Sequence, residues 1–345
     1  MKPIKILAIE TSCDETASAV LQGQLGGKPK FKLLSSIVKS QIDIHEKYGG
    51  VVPEVAARAH MQNILPVVEK GLSEAKTKLT DIDYIAVTSG PGLVVSLIVG
   101  TEFAKGLSLS TGIPLLPTNH IEGHLYSAFG ESPEKVKFPV LCVIVSGLHT
   151  TFAVMKDYHN YTVIGNTVDD AAGEAFDKVA RLLNLAYPGG PKISKLALEG
   201  KTDLNFTRPM LHAKNFDFSF AGLKTAVLYY IRDLKKPLTK QIKADIAMSF
   251  ENAVCDVITQ KALRAAQKYN CKTVSLSGGV SANKKLREYL ANMCKDQKIN
   301  FAVPSFDLCT DNAGMIAIAA YFNLLDGKKP VAPAKVKSDP VWEIG

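Results

Sequence analysis

The chain has 345 residues, 46% of them hydrophobic and 21% charged, which are the proportions of an ordinary globular protein large enough for two domains. They exclude a disordered tail protein, and no apolar run reaches membrane-spanning length. The formal charge of +8 comes mostly from lysines clustered at 235–243, 261–298 and 328–337. Each cluster alone reads as a solvated face, and together they suit a polyanionic partner such as RNA.

In chain order, the first segment, Ile4–Leu21, is an apolar run, a polar turn (Thr11–Glu15) and a second β-rich run, a pattern that predicts a hairpin. The start of the chain shows no signal-peptide pattern. Next come a helix over 55–75, a strand over 83–88 closed by Ser89-Gly90-Pro91-Gly92, and a helix over 93–110. A short strand over 113–116 leads into Pro117–His124. A second hairpin, Pro139–Met155, repeats the first about 135 residues later and implies a duplicated architecture. Helices over 175–185, 193–199 and 242–269, a strand over 273–277, a helix over 283–295, a strand near Phe301 and a helix over 312–325 follow. Alternating strands and helices predict an α/β fold of parallel or mixed sheets covered by helices. We place the domain boundaries at 116/117 and 311/312, with residues 312–345 returning to the first domain. The six cysteines form no C-x-x-C pair, which fits a reducing, cytoplasmic setting rather than a disulfide or zinc-ribbon framework.

The segment His120-Ile121-Glu122-Gly123-His124 follows Thr118 and Asn119, either of which suits a helix N-cap. Histidines at i and i+4 share a helical face and can bind one transition metal. Glu122 sits about 200° around the helix from His120, so it cannot serve as the general base that a metalloprotease needs. Asp311 is the candidate third ligand, although a helix cap is the commoner role for such a residue. Asp307 is the second choice. Ser146-Gly147, Gly189-Gly190 and Gly278-Gly279 are turns that permit close backbone approach and together point to a nucleotide cleft between domains. No P-loop or dinucleotide fingerprint is present. Asp169, Asp170, Glu174 and Asp177 form an acidic group at a helix start, where Asp177 is placed to bond a ribose or a substrate amine.

These stretches resemble one family, the tRNA N6-adenosine threonylcarbamoyltransferases (TsaD), formerly called O-sialoglycoprotein endopeptidases. The resemblance rests on IETSCDET (9–16), HEKYGGVVPEVAARAH (45–60), SGPGLVVSLIVG (89–100), HIEGH (120–124), DDAAGEAFDK (169–178), YPGGP (187–191), FSFAGLKTA (218–226), SGGVSAN (277–283) and CTDN (309–312). YGGVVPE looks like the bacterial and mitochondrial branch. The resemblance implies two duplicated domains of the actin, hexokinase and Hsp70 (ASKHA) type with an interdomain cleft. It implies transfer of a threonylcarbamoyl group from threonylcarbamoyl-AMP, an adenylate-type substrate, to N6 of adenosine-37 in tRNAs reading ANN codons. It further implies one divalent metal, iron or zinc, held by His120, His124 and Asp311. Substrate contacts carried over are Ile144, Val145, Ser146, Gly147, Leu148, Asp177, Gly190 and Asn283, with Asp177 the candidate for a catalytic role. The implied partners are tRNA, a paralogous ASKHA subunit (TsaB-like) and a P-loop ATPase (TsaE-like), without a membrane. The helix over 55–75 is our choice for a partner surface. The family loop reads V-S-G-G-H-T, and Leu148 stands at its second glycine, where a side chain is expected to crowd a phosphate or demand another backbone angle. A metalloprotease, an ASKHA-fold small-molecule kinase using Glu10 or Asp14, and a non-enzymatic paralogue are the competing readings.

Overall fold

The computed structural model describes residues 3–130 and 133–344. The chain packs as two compact units, Met1–Val136 with Pro304–Gly345, and Lys137–Val303. In the first, β1 (Ile4–Glu10), β2 (Glu15–Gln24) and β3 (Lys30–Ser40) form an antiparallel meander. It is followed by α1 (Ile42–His45), α2 (Pro53–Glu74), β4 (Tyr84–Gly90), α3 (Val94–Thr111), β5 (Leu115–Asn119) and α4 (His120–Ser127). β4 pairs parallel with β1, and β5 parallel with β4, giving the order β3-β2-β1-β4-β5.

The second unit repeats this plan. β6 (Val140–Val145), β7 (Thr150–Met155) and β8 (Tyr161–Asn166) form the meander. After α5 (Ala172–Leu182), α6 (Gly189–Ala197), α7 (Ala221–Asp233) and α8 (Lys240–Lys268), β9 (Thr273–Ser277) pairs parallel with β6. α9 (Lys284–Asp296) and β10 (Asn300–Ala302) complete the order β8-β7-β6-β9-β10, strand for strand that of the first unit. The hairpin similarity in the sequence is therefore a true duplication of topology. Central strand β6 is an unbroken apolar run, VLCVIV, rather than an alternating one, because helices cover both faces; every residue of it is buried.

α10 (Ala313–Leu325) belongs to the first unit and packs against α4, β1 and β2. It is apolar all round and buried from Ala313 to Asn323, as a helix inserted in a core must be. Because α4 packs on α10, both fall in one unit, and the units divide at 136/137 and 303/304 rather than at 116/117 and 311/312. Tyr321 locks α10 to the β2–β3 turn: its hydroxyl donates to Gln24 O (2.8 Å) and accepts from Lys30 N (2.9 Å). Tyr321→Phe leaves both backbone groups unpaired and is expected to lower stability by about 1–3 kcal/mol in urea titrations.

Strands β3 and β8 and helix α7 lie outside the sequence expectation. β3 reads KFKLLSSIVKS, an edge strand whose lysines and serines mask its buried Phe31, Ser35 and Ile37. α7 has no side-chain cap of its own and fully buries only Leu223 and Val227.

One lysine departs from the solvated-face reading. Lys261 is wholly buried on α8, its Nζ 3.5 Å from Asn215 O and 5.5 Å from the Phe218 ring centroid. Burial, then the neighbouring Arg264, push its pKa down from 10.5 to about 8. A depressed lysine costs stability wherever the folded state must hold the proton. That cost is complete below about pH 8 and is relieved as the pH rises from about 8 to 10.5, so stability rises across that window. Lys261→Met is accordingly expected to stabilise the protein by on the order of 2 kcal/mol at pH 7 and to lose that advantage by pH 10.5, read by denaturant titration at both.

Candidate metal centre

α4 begins where the sequence places it. Asn119 Oδ1 accepts from Ile121 N (2.8 Å) and Glu122 N (3.3 Å), which fixes the helix start and the direction of both histidines. Gly123 lets α4 approach α10, since a Cβ there would lie 3.0 Å from Ile316 Cδ1 and Met315 Cγ. All eight residues of α4 are buried, and the His120 and His124 rings stand 4.8 Å apart at 85°.

Asp311 meets them. Its Oδ1 lies 3.5 Å from His120 Nε2 and 3.2 Å from His124 Nε2. The cap of α10 is not Asp311 but Asn312, whose Oδ1 accepts from Met315 N (2.9 Å); the aspartate is thereby left to face the histidines. Asp307 stays outside the group.

The arrangement fits a divalent cation. Donors held about 2.0–2.2 Å from one tetrahedral ion lie about 3.3 Å from each other, the spacing of Asp311 to both rings. Among the described residues neither ring nitrogen of His124 has a matched hydrogen-bond partner, although the residue is fully buried; Nε2 has the Asp311 carboxylate beside it at 3.2 Å. A buried imidazole with two unmatched nitrogens is costly, and an ion at Nε2 answers one of them. Burial lowers the His124 pKa and keeps its lone pair available. His120 differs: burial opposes its charge, but Asp311 and Glu10 outweigh that and push its pKa up to about 9. Its Nδ1 lies 3.2 Å from Glu10 Oε2 and 3.1 Å from Ser12 Oγ.

Glu122 faces the other way. Its carboxylate accepts from Asn323 Nδ2 (3.0 Å) and Lys328 Nζ (3.1 Å), so it has no access to the histidine pair and the metalloprotease reading fails on geometry. The β1–β2 turn is braced by buried His60, whose Nε2 donates to Cys13 O (2.9 Å) and whose Nδ1 meets Thr16 Oγ1 (2.8 Å).

The remaining sequence candidates lie in the second unit. Ile144 and Val145 are buried in β6, and the turn after them is closed by Ser146 N to His149 O (2.7 Å). Asp177 Oδ1 accepts from Gly189 N (2.7 Å) and so holds the start of α6, where Gly190 faces open space. Asn283 caps α9 through Leu286 N (2.8 Å) and donates to Ser194 Oγ (2.9 Å) and to Glu251 Oε1 (2.7 Å). Glu251, a buried carboxylate on α8 that the sequence did not single out, therefore orients both Asn283 and Ser194. The acidic group divides by role. Asp169 accepts from Phe220 N and Ala221 N at the start of α7, and Asp170 pairs with Lys178 (2.6 Å) and Lys224 (3.2 Å).

A family model described as TsaD, tRNA N6-adenosine threonylcarbamoyltransferase, matches residues 32–318. The chain is 48% identical over 327 residues to a protein of that name from Clostridium botulinum, covering 94% of each. It is 50% identical over 323 residues to another from Thermosipho melanesiensis, covering 93% of this chain and 95% of that one. The chain belongs to this family.

Membership makes it a transferase by family. Among solved structures it is similar to HypF of T. kodakarensis, with a TM-score of 0.64 and 15% identity, over 94% of this chain and 48% of that one. It is also similar to component A of (R)-2-hydroxyglutaryl-CoA dehydratase from Acidaminococcus fermentans, with a TM-score of 0.54 and 14% identity over 94% and 99%. These likenesses concern the fold, which is the ASKHA type that the family resemblance implies. At the family's second loop glycine, Leu148 has a negative φ and is 53% exposed, so the leucine is accommodated without backbone strain.

Proposed function

We propose that this chain transfers the threonylcarbamoyl group of threonylcarbamoyl-AMP to N6 of adenosine-37 in tRNAs reading ANN codons, forming t6A and releasing AMP. The observation that carries the reading is the His120–His124–Asp311 group, with its unmatched His124, in a chain of this family. These three residues would hold one divalent ion, iron or zinc by donor type, which supplies Lewis acidity to phosphate or carbonyl oxygen when bound. In the transfer, the N6 amine attacks the carbamoyl carbonyl carbon, a C–N bond forms as N6 gives up a proton to solvent, and the anhydride C–O bond breaks with its electron pair leaving on AMP. Ile144–Leu148, Asp177, Gly190 and Asn283 are our substrate-facing set. Gly147 and Gly190 support that role, because nothing lies within 4 Å of either glycine's Cβ position and a ligand can approach the backbone.

Asp177 is assigned the orientation of the α6 start rather than proton transfer, given its bond to Gly189 N. Asp177→Asn, which keeps an acceptor, is expected to retain turnover within about tenfold, and Asp177→Ala to lose more. Equal, complete loss in both would return a proton-transfer role to Asp177.

A kinase reading is weaker, because Glu10 is fully buried and already accepts from Ser12 N and Thr88 Oγ1. For partners we propose tRNA, a TsaB-like paralogue and a TsaE-like ATPase. The exposed apolar face of α2 (Met61, Leu65) beside that of α3 (Val94, Val95, Ile98) supports a protein docking surface there. No helix among the described residues is long and apolar enough to cross a membrane, and all six cysteines are free, which supports a cytoplasmic setting.

The test is nucleoside analysis of tRNA incubated with the protein, threonine, bicarbonate, ATP and the companion enzymes, wild type against His120→Ala. Threonylcarbamoyladenosine from the wild type alone supports the reading; none from the wild type with active companions overturns it.

A further inference from the structure

Glu10 ends β1 inside the first unit and is wholly buried, yet none of the steps above uses it. Its Oε1 accepts from Ser12 N (2.5 Å), and its Oε2 accepts from Thr88 Oγ1 (2.5 Å). These donors, one from the β1–β2 turn and one from β4, fix the plane of the carboxylate. The same Oε2 lies 3.2 Å from His120 Nδ1, on the side of the ring away from Asp311.

We propose that Glu10 is the positioning residue of the metal centre: it accepts the Nδ1 proton of His120 and so turns the Nε2 lone pair toward an ion shared with His124 and Asp311. The proposal rests on the metal reading above. A neutral imidazole has one N–H and one lone pair, and an ionised carboxylate can only accept. A carboxylate at Nδ1 therefore fixes the tautomer, whereas a hydroxyl such as Ser12 Oγ can donate or accept and leaves it open. Charge gives a second argument. Asp311 and Glu10 bring two negative charges toward one divalent ion, and Glu10 does so without occupying a coordination position. His124 has no such companion at Nδ1, so the two histidines are not equivalent ligands.

The experiment uses the full chain, stripped by chelation and titrated with Co²⁺ against a chromophoric chelator. The wild type is compared with Glu10→Gln and Ser12→Ala. Loss of the carboxylate is expected to weaken Co²⁺ binding about 10–100-fold and to shift the visible Co²⁺ bands, while Ser12→Ala stays near wild type. Thermal scans show whether Glu10→Gln folds. Where it does not, ¹⁵N-histidine spectra of the Zn²⁺-loaded wild type decide, and one ligating ring should show a slowly exchanging proton on Nδ1. Wild-type affinity and bands in a folded Glu10→Gln, or metal on Nδ1 of His120, overturn the role of Glu10 and leave the metal reading standing. A wild type that binds neither Co²⁺ nor Zn²⁺ removes the metal reading, and the role of Glu10 with it.

Discussion

His124→Ala is expected to slow t6A formation by at least about 10³-fold while leaving the metal-free protein as stable as before. The first half follows from the assigned chemistry, since loss of Lewis-acid stabilisation worth about 4 kcal/mol corresponds to three powers of ten in rate. The second half follows from His124 itself. Its ring is fully buried with neither nitrogen hydrogen-bonded, so the native apoprotein carries a desolvation cost of about 1–3 kcal/mol for such groups. Alanine removes that cost together with the packing of the ring, and the two changes oppose each other. The wild type should gain stability from Zn²⁺, by about 2.7 kcal/mol when the ion stands at 100 times its Kd, and the variant should gain none. Thermal scans with and without Zn²⁺, beside nucleoside analysis of the tRNA, measure both. A variant that keeps the Zn²⁺ response but loses activity would place the metal elsewhere.

The contrast with a purely structural histidine shows how much of this site could be read in the sequence. Two histidines four apart after a capping asparagine determine a shared helical face, and Gly123 between them marks a close helix contact. That much is local, and local spacing is what a sequence records. The third ligand is not local. Asp311 lies 187 residues after His124, and the choice between ligand and cap turned on its neighbour, since Asn312 takes the cap. Glu10 was legible as a carboxylate closing an apolar strand and as a candidate for kinase chemistry, but not as a partner of His120; Thr88 and His120 come from β4 and α4, which only the sheet order brings beside it.

The same distinction holds for the fold. Central strands β1 and β6 stand out as apolar runs because both faces are covered, and the paired hairpins pointed to a duplicated architecture. The edge strands β3 and β8 are only partly buried, with polar residues between the apolar ones, and their burial depends on neighbours that a linear pattern does not reveal. Lys261 is the clearest tertiary override. It sits in a lysine-rich stretch that reads as a solvated face, but the loop carrying Asn215 and Phe218 covers it.

That override matters for the last expectation, which concerns tRNA and salt. With Lys261 removed from the accessible set, the exposed cations that remain on the second unit include Lys235, Lys236, Lys268, Lys272, Lys295 and Lys298. A net charge of +8 favours a polyanion, and each phosphate neutralised releases condensed counterions, so log K falls with log salt by about 0.7–0.9 per contact. For about five contacts, raising salt from about 50 to 200 mM should raise the KM for tRNA about 10²-fold. The KM for threonylcarbamoyl-AMP, a small anion that meets few cations, should change far less. Paired Lys→Gln changes at Lys295 and Lys298 should flatten the tRNA slope by about one to two contacts if that surface is used, and leave the adenylate KM alone. Lys261→Gln, at a buried position, should leave the slope as it is. A tRNA KM indifferent to salt would mean that the chain does not dock tRNA through its own basic surface, and that the partner subunits supply that contact.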